Sequence, residues 1–300
     1  MSVAVTGVTG FLGSHIALTL ALAGVEVRGV ARRPEGWTLG HPEKVSVVPG
    51  DLNDEASLIA AFAGCRAVVA NAALVSWRGE LDAYIATNVR GTENTLRAAA
   101  AAGAREVVLV SSVAVYRTRL RHYMDEAHPR YGPKKRLFDW SHLSTDWRYS
   151  LTKQAAEERA WSLAKELNLA LTVLRPGPIY GSRDPKWTSR LLRNLQRPLT
   201  FAPSFGVPLV HAGDVARVVL RALDGGGAGR AYNLAGPPTP LREILTTFLR
   251  FGGGRAKLVP LPVPLWVGYD TRAARQDLGF NPRSLDEGVA EVLSQRADNG

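Results

Sequence analysis

The sequence TGVTGFLG at positions 6–13 places three glycines at a spacing of three between two apolar stretches. Ser2–Thr6 is typical of a buried strand, and residues 11–23 have helical length and good helix formers. Glycine at such a junction permits a tight turn and lets the helix and the strand pack closely. The chain is therefore predicted to begin with a strand, a glycine turn and a helix.

A glycine turn between a strand and a helix is a place where the pyrophosphate of a dinucleotide binds. The backbone can approach the phosphates there, and the free N–H groups and the dipole of the helix favour negative charge. The spacing here is Gly-x-x-Gly-x-x-Gly and not the commoner Gly-x-Gly-x-x-Gly. A turn with a purely structural role is therefore the alternative.

Further apolar segments alternate with stretches of helical length. Strands are predicted at 25–30, 45–48, 66–70 and 107–111, and helices at 92–102 and 148–167. This alternation implies a doubly wound parallel sheet of the Rossmann type, an α/β fold. We predict that it occupies residues 1–174. Several prolines punctuate short segments after Arg175, which favours a small substrate-binding lobe over residues 175–300, with some of its chain returning to the first domain.

Polar side chains collect where the predicted strands end. The residues at these carboxyl ends are Arg32, Arg33, Asp51, Asn71, Ser111 and Ser112. Ligands bind at this edge of an open α/β sheet. The site is therefore expected there.

The residues after the second strand bear on which dinucleotide binds. An acidic residue about twenty positions after the glycine turn would bind the ribose hydroxyls of NAD, whereas a basic residue accommodates the extra phosphate of NADP. Here Ala31 is followed by Arg32 and Arg33. We predict NADP, with NAD as the alternative and two ordinary surface arginines as the structural explanation.

Acid–base chemistry is predicted on the helix at 148–167. Tyr149 and Lys153 lie four residues apart, so they share one face of that helix. A nearby ammonium and an oxidised nicotinamide ring would each lower the pKa of the Tyr149 phenol from its usual value of about 10. The phenol could then exchange a proton with an alcohol or a carbonyl, while Ser112 holds the substrate oxygen.

The chain resembles the extended short-chain dehydrogenases/reductases, which include nucleotide-sugar epimerases, dihydroflavonol reductases and 3-beta-hydroxysteroid dehydrogenases. The resemblance covers nearly the whole chain. Its motifs are TGVTGFLG at 6–13, GDLND at 50–54, NVRGTENTLRAA at 88–99, SSVAVY at 111–116, YSLTK at 149–153, LRPGPIYG at 174–181, HAGDVA at 211–216 and YNLAGP at 232–237.

The resemblance implies roles for individual residues. It implies catalysis by Ser112, Tyr149 and Lys153, with Asn88 supporting a proton-relay water. It places Asp51 at the adenine, Ala72 and Ala73 along the nicotinamide, and 176–179 near the carboxamide. The complete predicted cofactor set is Gly7, Thr9, Gly10, Phe11, Leu12, Gly13, Arg32, Arg33, Asp51, Leu52, Ala72, Ala73, Ser111, Tyr149, Lys153, Pro176 and Ile179.

Tyr131 and Lys135 repeat the Tyr-x-x-x-Lys spacing. Gly132 and Pro133 lie between them and disfavour a helix, so these two side chains have no reason to share a face. The stretch 117–147, which includes the aromatic residues Phe138 and Trp140, is interpreted as a lid, or alternatively as a disordered insertion. The apolar segment 258–269 is too short and too rich in proline to cross a bilayer, so it either lines a substrate pocket or packs in the core.

Composition excludes several other classes. Cys65 is the only cysteine, so the chain has no intrachain disulfide and no thiolate metal site. His211 and Asp214 lack accompanying ligands, and no metal is predicted. The formal net charge of +10 fits attraction to an anionic cofactor or simply a solvated basic surface, and neither nucleic acid nor a membrane is expected as a partner. No signal peptide is evident, and a cytoplasmic location is expected.

The most favoured function is an NADP(H)-dependent oxidoreductase acting on a small, largely apolar carbonyl compound or alcohol. A nucleotide-sugar epimerase or dehydratase is the alternative, and a non-catalytic regulatory module is a third. Val207, Pro208 and Leu209 occupy positions where the epimerases commonly carry Arg-Asp-Tyr, although Arg183, Lys186 or Arg190 could replace that arginine. The resemblance also implies a homodimer through the helices at 92–102 and 149–165.

Overall fold

The computed structural model describes residues 2–39, 43–75, 80–131 and 146–297. In these residues the strands are β1 Ser2–Thr6, β2 Val27–Ala31, β3 Val45–Pro49, β4 Cys65–Ala70, β5 Glu106–Val110, β6 Tyr123–Met124, β7 Ala170–Pro176, β8 Ile179–Tyr180, β9 Leu199–Pro203, β10 Gly206–Val207, β11 Val210–His211, β12 Ala231–Leu234, β13 Thr239–Pro240, β14 Lys257–Leu261 and β15 Gly268–Tyr269. The helices are α1 Phe11–Leu22, α2 Glu55–Phe62, α3 Leu81–Tyr84, α4 Gly91–Ala101, α5 Trp147–Glu166, α6 Trp187–Leu195, α7 Ala212–Ala222, α8 Leu241–Arg250, α9 Arg272–Leu278 and α10 Leu285–Ala297.

Seven strands form one parallel sheet in the order β12-β7-β5-β4-β1-β2-β3. Val3 of β1 pairs with Val27 of β2 on one side and with Ala67 of β4 on the other. The chain runs outward from β1 to β3 and then returns to β4, so the strand order reverses between β1 and β4. Ligands of doubly wound sheets bind outside the carboxyl ends of the strands at this switch point.

Helices cover both faces of the sheet. Leu20 of α1 and Val219 of α7 belong to the core on one face. Leu58 of α2, Leu96 of α4 and Leu163 of α5 belong to the core on the other face. Because both faces are covered, the strands read as continuous apolar runs. The predicted doubly wound α/β fold is confirmed.

The predicted bounds of the early elements differ from the observed ones by one or two residues. β2 was expected to begin at Val25, but the N–H of Val25 donates to the carbonyl of Leu20 and closes the end of α1. The helix expected from Thr92 is α4, and a π-helical stretch, Ile85–Arg90, precedes it. This stretch contacts α5 and has no distinct signal in the apolar periodicity.

A third hydrophobic cluster lies in the C-terminal part of the chain. Leu195 of α6, Ile244 and Phe248 of α8, and Val292 of α10 pack together there. β12 joins the large sheet beside β7, so the chain after residue 174 contributes both to that sheet and to the C-terminal cluster. β7 itself runs across the boundary that we placed after residue 174, and the division into two domains stays a prediction.

The described part of the stretch 117–147 packs against the C-terminal chain. Tyr123 of β6 pairs with Gly268 of β15, and the N–H of Tyr131 donates to the carbonyl of Val115 at 2.7 Å. Val267 lies in an apolar cluster with Val115, so the segment 258–269 contributes to core packing at this point. Its role in lining a substrate pocket stays a hypothesis. Lys135, Phe138 and Trp140 lie outside the described residues.

Candidate active site

The glycine turn forms a cradle without side chains at the switch point. Gly7 has a φ of +67°, a left-handed conformation that glycine adopts without strain. A Cβ on Gly13 would lie 2.1 Å from the carbonyl oxygen of Gly7, and a Cβ on Gly7 would lie 3.0 Å from the Cα of Ala72. No side chain caps α1 at Gly10, which leaves the N–H groups of its first turn open to an acceptor. These features fit the pyrophosphate of a dinucleotide.

The two arginines after β2 lie at the same edge of the sheet. Arg32 and Arg33 are exposed, and neither forms an ion pair or a side-chain hydrogen bond with another residue in the described ranges. Ala31 before them is buried and offers no carboxylate. The two arginines therefore present positive charge without a described protein partner at the carboxyl end of β2.

The other predicted cofactor residues also follow the carboxyl ends of strands. Asp51 follows β3, and its Oδ1 accepts the N–H of Asn53 at 3.0 Å. Leu52 is half-buried, and its carbonyl accepts the amide of Asn94 at 2.8 Å. The remaining residues on this edge are Thr9, Phe11, Leu12, Ala72, Ala73, Pro176 and Ile179.

Ser112 and Tyr149 are brought together from different elements. Ser112 follows β5, and its hydroxyl accepts the N–H of Ala114 at 3.1 Å at the start of a short 3-10 turn. Tyr149 stands in the first turn of α5, which begins where the Asp146 carboxylate accepts the N–H of Arg148 at 2.9 Å. The two hydroxyls form a hydrogen bond. Together they can hold one substrate oxygen.

The phenol of Tyr149 is protonated at neutral pH. Burial raises the pKa of Tyr149 to about 12, and its hydrogen bond to Ser112 opposes this rise without cancelling it. We expected a nearby ammonium and an oxidised nicotinamide to lower this pKa, whereas in the protein alone desolvation of the phenolate is the largest effect. A protonated phenol can act as an acid toward a carbonyl oxygen.

Lys153 is buried one turn after Tyr149. Its ammonium donates to the carbonyl of Val110 at 2.7 Å, and the residue is 5% exposed. Burial lowers the pKa of Lys153 to about 8, while the Glu157 carboxylate opposes that shift. The structure thus places an ammonium that titrates near physiological pH on the same helix face as the phenol.

Asn88 links the loop after β4 to α5. Its Oδ1 accepts the N–H of Leu74 at 2.7 Å, and its Nδ2 donates to the Leu74 carbonyl and to the hydroxyl of Thr152, each at 3.2 Å. The amide therefore fixes that loop beside the turn that carries Lys153. Its predicted support of a relay water stays a prediction.

Glu157 was not identified from the sequence, although it lies behind the site. It is fully buried, and its carboxylate accepts hydrogen bonds from Ser111 at 2.8 Å and from Arg130 at 2.6 Å. It also accepts from Arg175 through two guanidinium nitrogens. These cations hold the pKa of Glu157 below its usual value, against the effect of burial. Its sequence signal was an acid four residues after Lys153 on the buried face of the helix.

Arg175 extends this network away from the site. Its Nη1 donates to the hydroxyl of Tyr116 at 2.6 Å, and that hydroxyl donates to Oδ1 of Asn233 at 2.7 Å. The network therefore joins β7, β12 and α5 through Glu157. Ser111 directs its hydroxyl into this network, and its predicted contact with the cofactor stays a prediction.

His211 and Asp214 have protein partners. Nδ1 of His211 accepts the N–H of Gly213 at 3.2 Å, whereas its Nε2 has no hydrogen-bond partner in the described part of the chain. The Asp214 carboxylate pairs with Arg217 and Arg283. Among the residues that the structure describes, no group of three or more His, Cys, Asp or Glu side chains is placed to hold a metal.

The fold is a parallel doubly wound sheet with a glycine cradle at its switch point, and Ser112, Tyr149 and Lys153 lie on the neighbouring elements. This combination defines a nicotinamide-dependent short-chain dehydrogenase/reductase. The chain belongs to the NAD dependent epimerase/dehydratase family, whose model matches residues 3–235. It is an NAD(P)-dependent oxidoreductase of the extended type.

Two relatives with assigned activities span almost the whole chain. It is 28% identical over 326 residues to tetraketide alpha-pyrone reductase 1 of Arabidopsis thaliana, covering 99% of this chain and 96% of the relative. It is also 28% identical over 344 residues to 2-alkyl-3-oxoalkanoate reductase of Stenotrophomonas maltophilia (strain K279a), covering 99% and 100%. Among solved structures, MoeE5 in complex with UDP-glucuronic acid and NAD superimposes with a TM-score of 0.81 at 26% identity, and 100% of each chain is covered.

In the described ranges, no helix is both long enough and apolar enough to cross a membrane.

Proposed function

We propose that the protein is an NADP(H)-dependent reductase that interconverts a ketone or aldehyde with an alcohol on a small, largely apolar molecule. The observation that carries this proposal is the hydrogen bond between Ser112 and Tyr149, with the buried ammonium of Lys153 one helical turn away. These residues lie at the same edge of the sheet as the glycine cradle. The two relatives named as reductases of carbonyl compounds support it.

When bound, the nicotinamide supplies hydride to the carbonyl carbon of the substrate, or accepts hydride from the alcohol carbon. In the direction of reduction, Tyr149 donates its phenolic proton to the carbonyl oxygen, and Ser112 donates a hydrogen bond to the same oxygen. The ammonium of Lys153 stabilises the phenolate that remains. Asn88 keeps the loop after β4 and the turn of α5 in register.

The residues of the glycine cradle would hold the pyrophosphate, and Arg32 would hold the 2′-phosphate with Arg33 beside it. Asp51 is assigned to the adenine end, and Ala72 and Ala73 to the nicotinamide end. Pro176 and Ile179 are assigned to the carboxamide. The homodimer through α4 and α5 and the cytoplasmic location also stay predictions.

A nucleotide-sugar epimerase or dehydratase is the second candidate, because MoeE5 was solved with UDP-glucuronic acid and NAD. The chain differs from that class at positions 207–209, where the epimerases commonly carry an arginine that binds the diphosphate. Leu209 is 8% exposed in the C-terminal cluster, and Val207 and Pro208 carry no charge. A diphosphate would lack a charge-assisted hydrogen bond from these three positions, typically worth about 1.5 to 3 kcal/mol, and Arg183, Lys186 and Arg190 are the cations that could replace it.

A substrate panel tests the proposed function directly. UDP- and TDP-sugars would be assayed beside aromatic, steroid-like and 3-oxo carbonyl compounds, with NADPH and NADH. We expect carbonyl reduction with NADPH and no epimerisation. Efficient epimerisation of a sugar nucleotide would replace the reductase proposal with the second candidate. A protein that binds NADPH and transforms neither class would favour the non-catalytic module.

The preference for NADP(H) should depend on Arg32. An Arg32→Asp substitution places a carboxylate where the 2′-phosphate would lie, so NADPH should bind less tightly and NADH binding should improve or stay unchanged. The loss of one charge-assisted contact corresponds to roughly a ten-fold or larger increase in the Kd for NADPH. Fluorescence titration with both dinucleotides measures the ratio. Tighter binding of NADH by the unaltered protein would contradict the prediction.

The rate of carbonyl reduction should fall as the pH rises above about 8. Since burial lowers the pKa of Lys153 to about 8, the ammonium is charged below that pH and neutral above it. The neutral amine no longer stabilises the Tyr149 phenolate that forms during the reaction. A profile of kcat/KM against pH measures this limb. A profile that stays flat up to the pKa of an ordinary lysine would show that Lys153 does not control the rate.

A further inference from the structure

The segment 181–186, which leads from β8 to α6, crosses the carboxyl edge of the sheet at the switch point. At its start, a Cβ on Gly181 would lie 3.2 Å from the ring of Phe11 in α1. At its end, the ammonium of Lys186 donates a hydrogen bond to the carbonyl of Val75. Phe11 follows β1 and Val75 follows β4, so the segment passes over the place where the order of the strands reverses.

The acceptor of the Lys186 ammonium lies in the loop that Asn88 holds against α5. Leu74, the residue before its acceptor, is held by the amide of Asn88, and the same amide donates to Thr152 at 3.2 Å. Thr152 belongs to the turn of α5 that carries Tyr149. A series of contacts through Val75, Leu74 and Asn88 therefore connects Lys186 with the turn of α5 that carries Tyr149.

The ammonium of Lys186 forms no direct ion pair within the described part of the chain. The nearest acid in sequence, Asp184, accepts the backbone N–H of Lys186 at 2.9 Å and that of Thr188 at 2.6 Å. This carboxylate is therefore engaged at the start of α6. Partial burial lowers the pKa of Lys186, while Asp184 opposes the shift. The side chain as a whole remains accessible to solvent and so to a ligand.

We propose that Lys186 binds a carboxylate on the substrate, so that the natural substrates are oxo acids with a largely apolar remainder. This inference rests on the proposed reductase function and names its substrate class. An ammonium and a carboxylate form a charge-assisted hydrogen bond, which here would replace the weaker bond to the Val75 carbonyl. One ammonium balances the single charge of a carboxylate; lysine also binds phosphates as a point charge, and the experiment distinguishes the two anions.

The test compares an acid with its ester in two variants. The kcat/KM of the unaltered protein, of Lys186→Met and of Lys186→Arg would be measured with 3-oxooctanoate and with its methyl ester. We expect Lys186→Met to lose roughly ten-fold or more on the acid and to change little on the ester, because only the acid offers the charged acceptor. Lys186→Arg keeps the positive charge and should retain most of the activity on the acid.

Arg193→Met is the matched control, since Arg193 is an exposed cation of α6 without a carboxylate partner in the described residues. It should leave the ratio of acid to ester unchanged. If Lys186→Met lost kcat/KM equally on the acid and on the ester, Lys186 would have only a structural role and the proposal would be overturned. No loss of kcat/KM on either substrate would overturn it as well.

A second readout is independent of turnover. Octanoate, a carboxylate that cannot be reduced, should raise the melting temperature of the unaltered protein more than that of Lys186→Met. If the protein reduced the ester and its kcat/KM for the acid were no higher, the reductase function would be supported and the role of Lys186 would be refuted. Binding of octanoate through Lys186 in a protein that reduces neither ketone would refute the reductase function alone. If acetoacetyl-CoA, which carries phosphate groups, raised the melting temperature and octanoate did not, the bound anion would be a phosphate and the proposal of a carboxylate would be overturned.

Discussion

Tyr149→Phe should lower kcat for carbonyl reduction roughly 100-fold or more while the protein keeps its fold and its affinity for the dinucleotide. The substitution removes only the hydroxyl that shares a hydrogen bond with Ser112, and the ring still fills its half-buried position in the first turn of α5. Without that hydroxyl, no proton reaches the carbonyl oxygen as hydride arrives at the carbon. Steady-state kinetics, circular dichroism and dinucleotide titration measure the three properties.

Tyr131→Phe is the matched control because Tyr131 belongs to the second Tyr-x-x-x-Lys pattern. Tyr131 is 5% exposed, and its N–H, which the substitution retains, donates to the carbonyl of Val115. We therefore expect a comparatively small effect on kcat. If Tyr131→Phe lost activity and Tyr149→Phe kept it, the assignment of the acid to α5 would be wrong.

Glu157→Gln should lower the free energy of unfolding by about 3 to 5 kcal/mol. The glutamine has nearly the same shape but no charge, so Arg175, which is 2% exposed, is left buried without its carboxylate. Arg130 loses the same partner. Breaking one side of a buried pair costs far more than removing the whole pair, since the remaining charge stays desolvated. Urea unfolding followed by tryptophan fluorescence measures the change.

Two comparisons identify the cause of that loss. Glu93 and Arg159 form an ion pair at the surface, and Arg159→Gln should leave the free energy of unfolding almost unchanged because water screens this pair. The second comparison uses pH. The pKa of Glu157 is lowered from 4.5 in the folded protein, so its contribution is present above pH 4.5 and disappears as the pH falls through the folded value. The difference between Glu157→Gln and the unaltered protein should therefore shrink in acid. A difference that is independent of pH would mean that packing causes the loss.

Much of the fold and the principal site residues follow from local signals in the sequence. The turn at Gly7 and Gly13 requires glycine because of its own backbone geometry, which local sequence encodes directly. Tyr149 and Lys153 share a helix face because the helical period places them there. The order of strands and helices likewise follows from apolar periodicity. Ser112 was predicted to hold the substrate oxygen beside Tyr149, and the hydrogen bond between the two hydroxyls appears only in the structure.

The tertiary structure alone decided what each polar side chain faces. The sequence predicted a glycine turn and two arginines at the carboxyl edge of a parallel sheet, and a Tyr and a Lys on one face of a helix. It could not determine that burial raises the pKa of Tyr149 and lowers that of Lys153, because desolvation depends on atoms distant along the chain. Nor could it show that Glu157 forms ion pairs with Arg130 and Arg175, or that Lys186 donates a hydrogen bond to Val75 across the switch point. Periodicity reports which face of an element is buried, whereas charge, solvation and the partner of each group are fixed only when distant segments pack together.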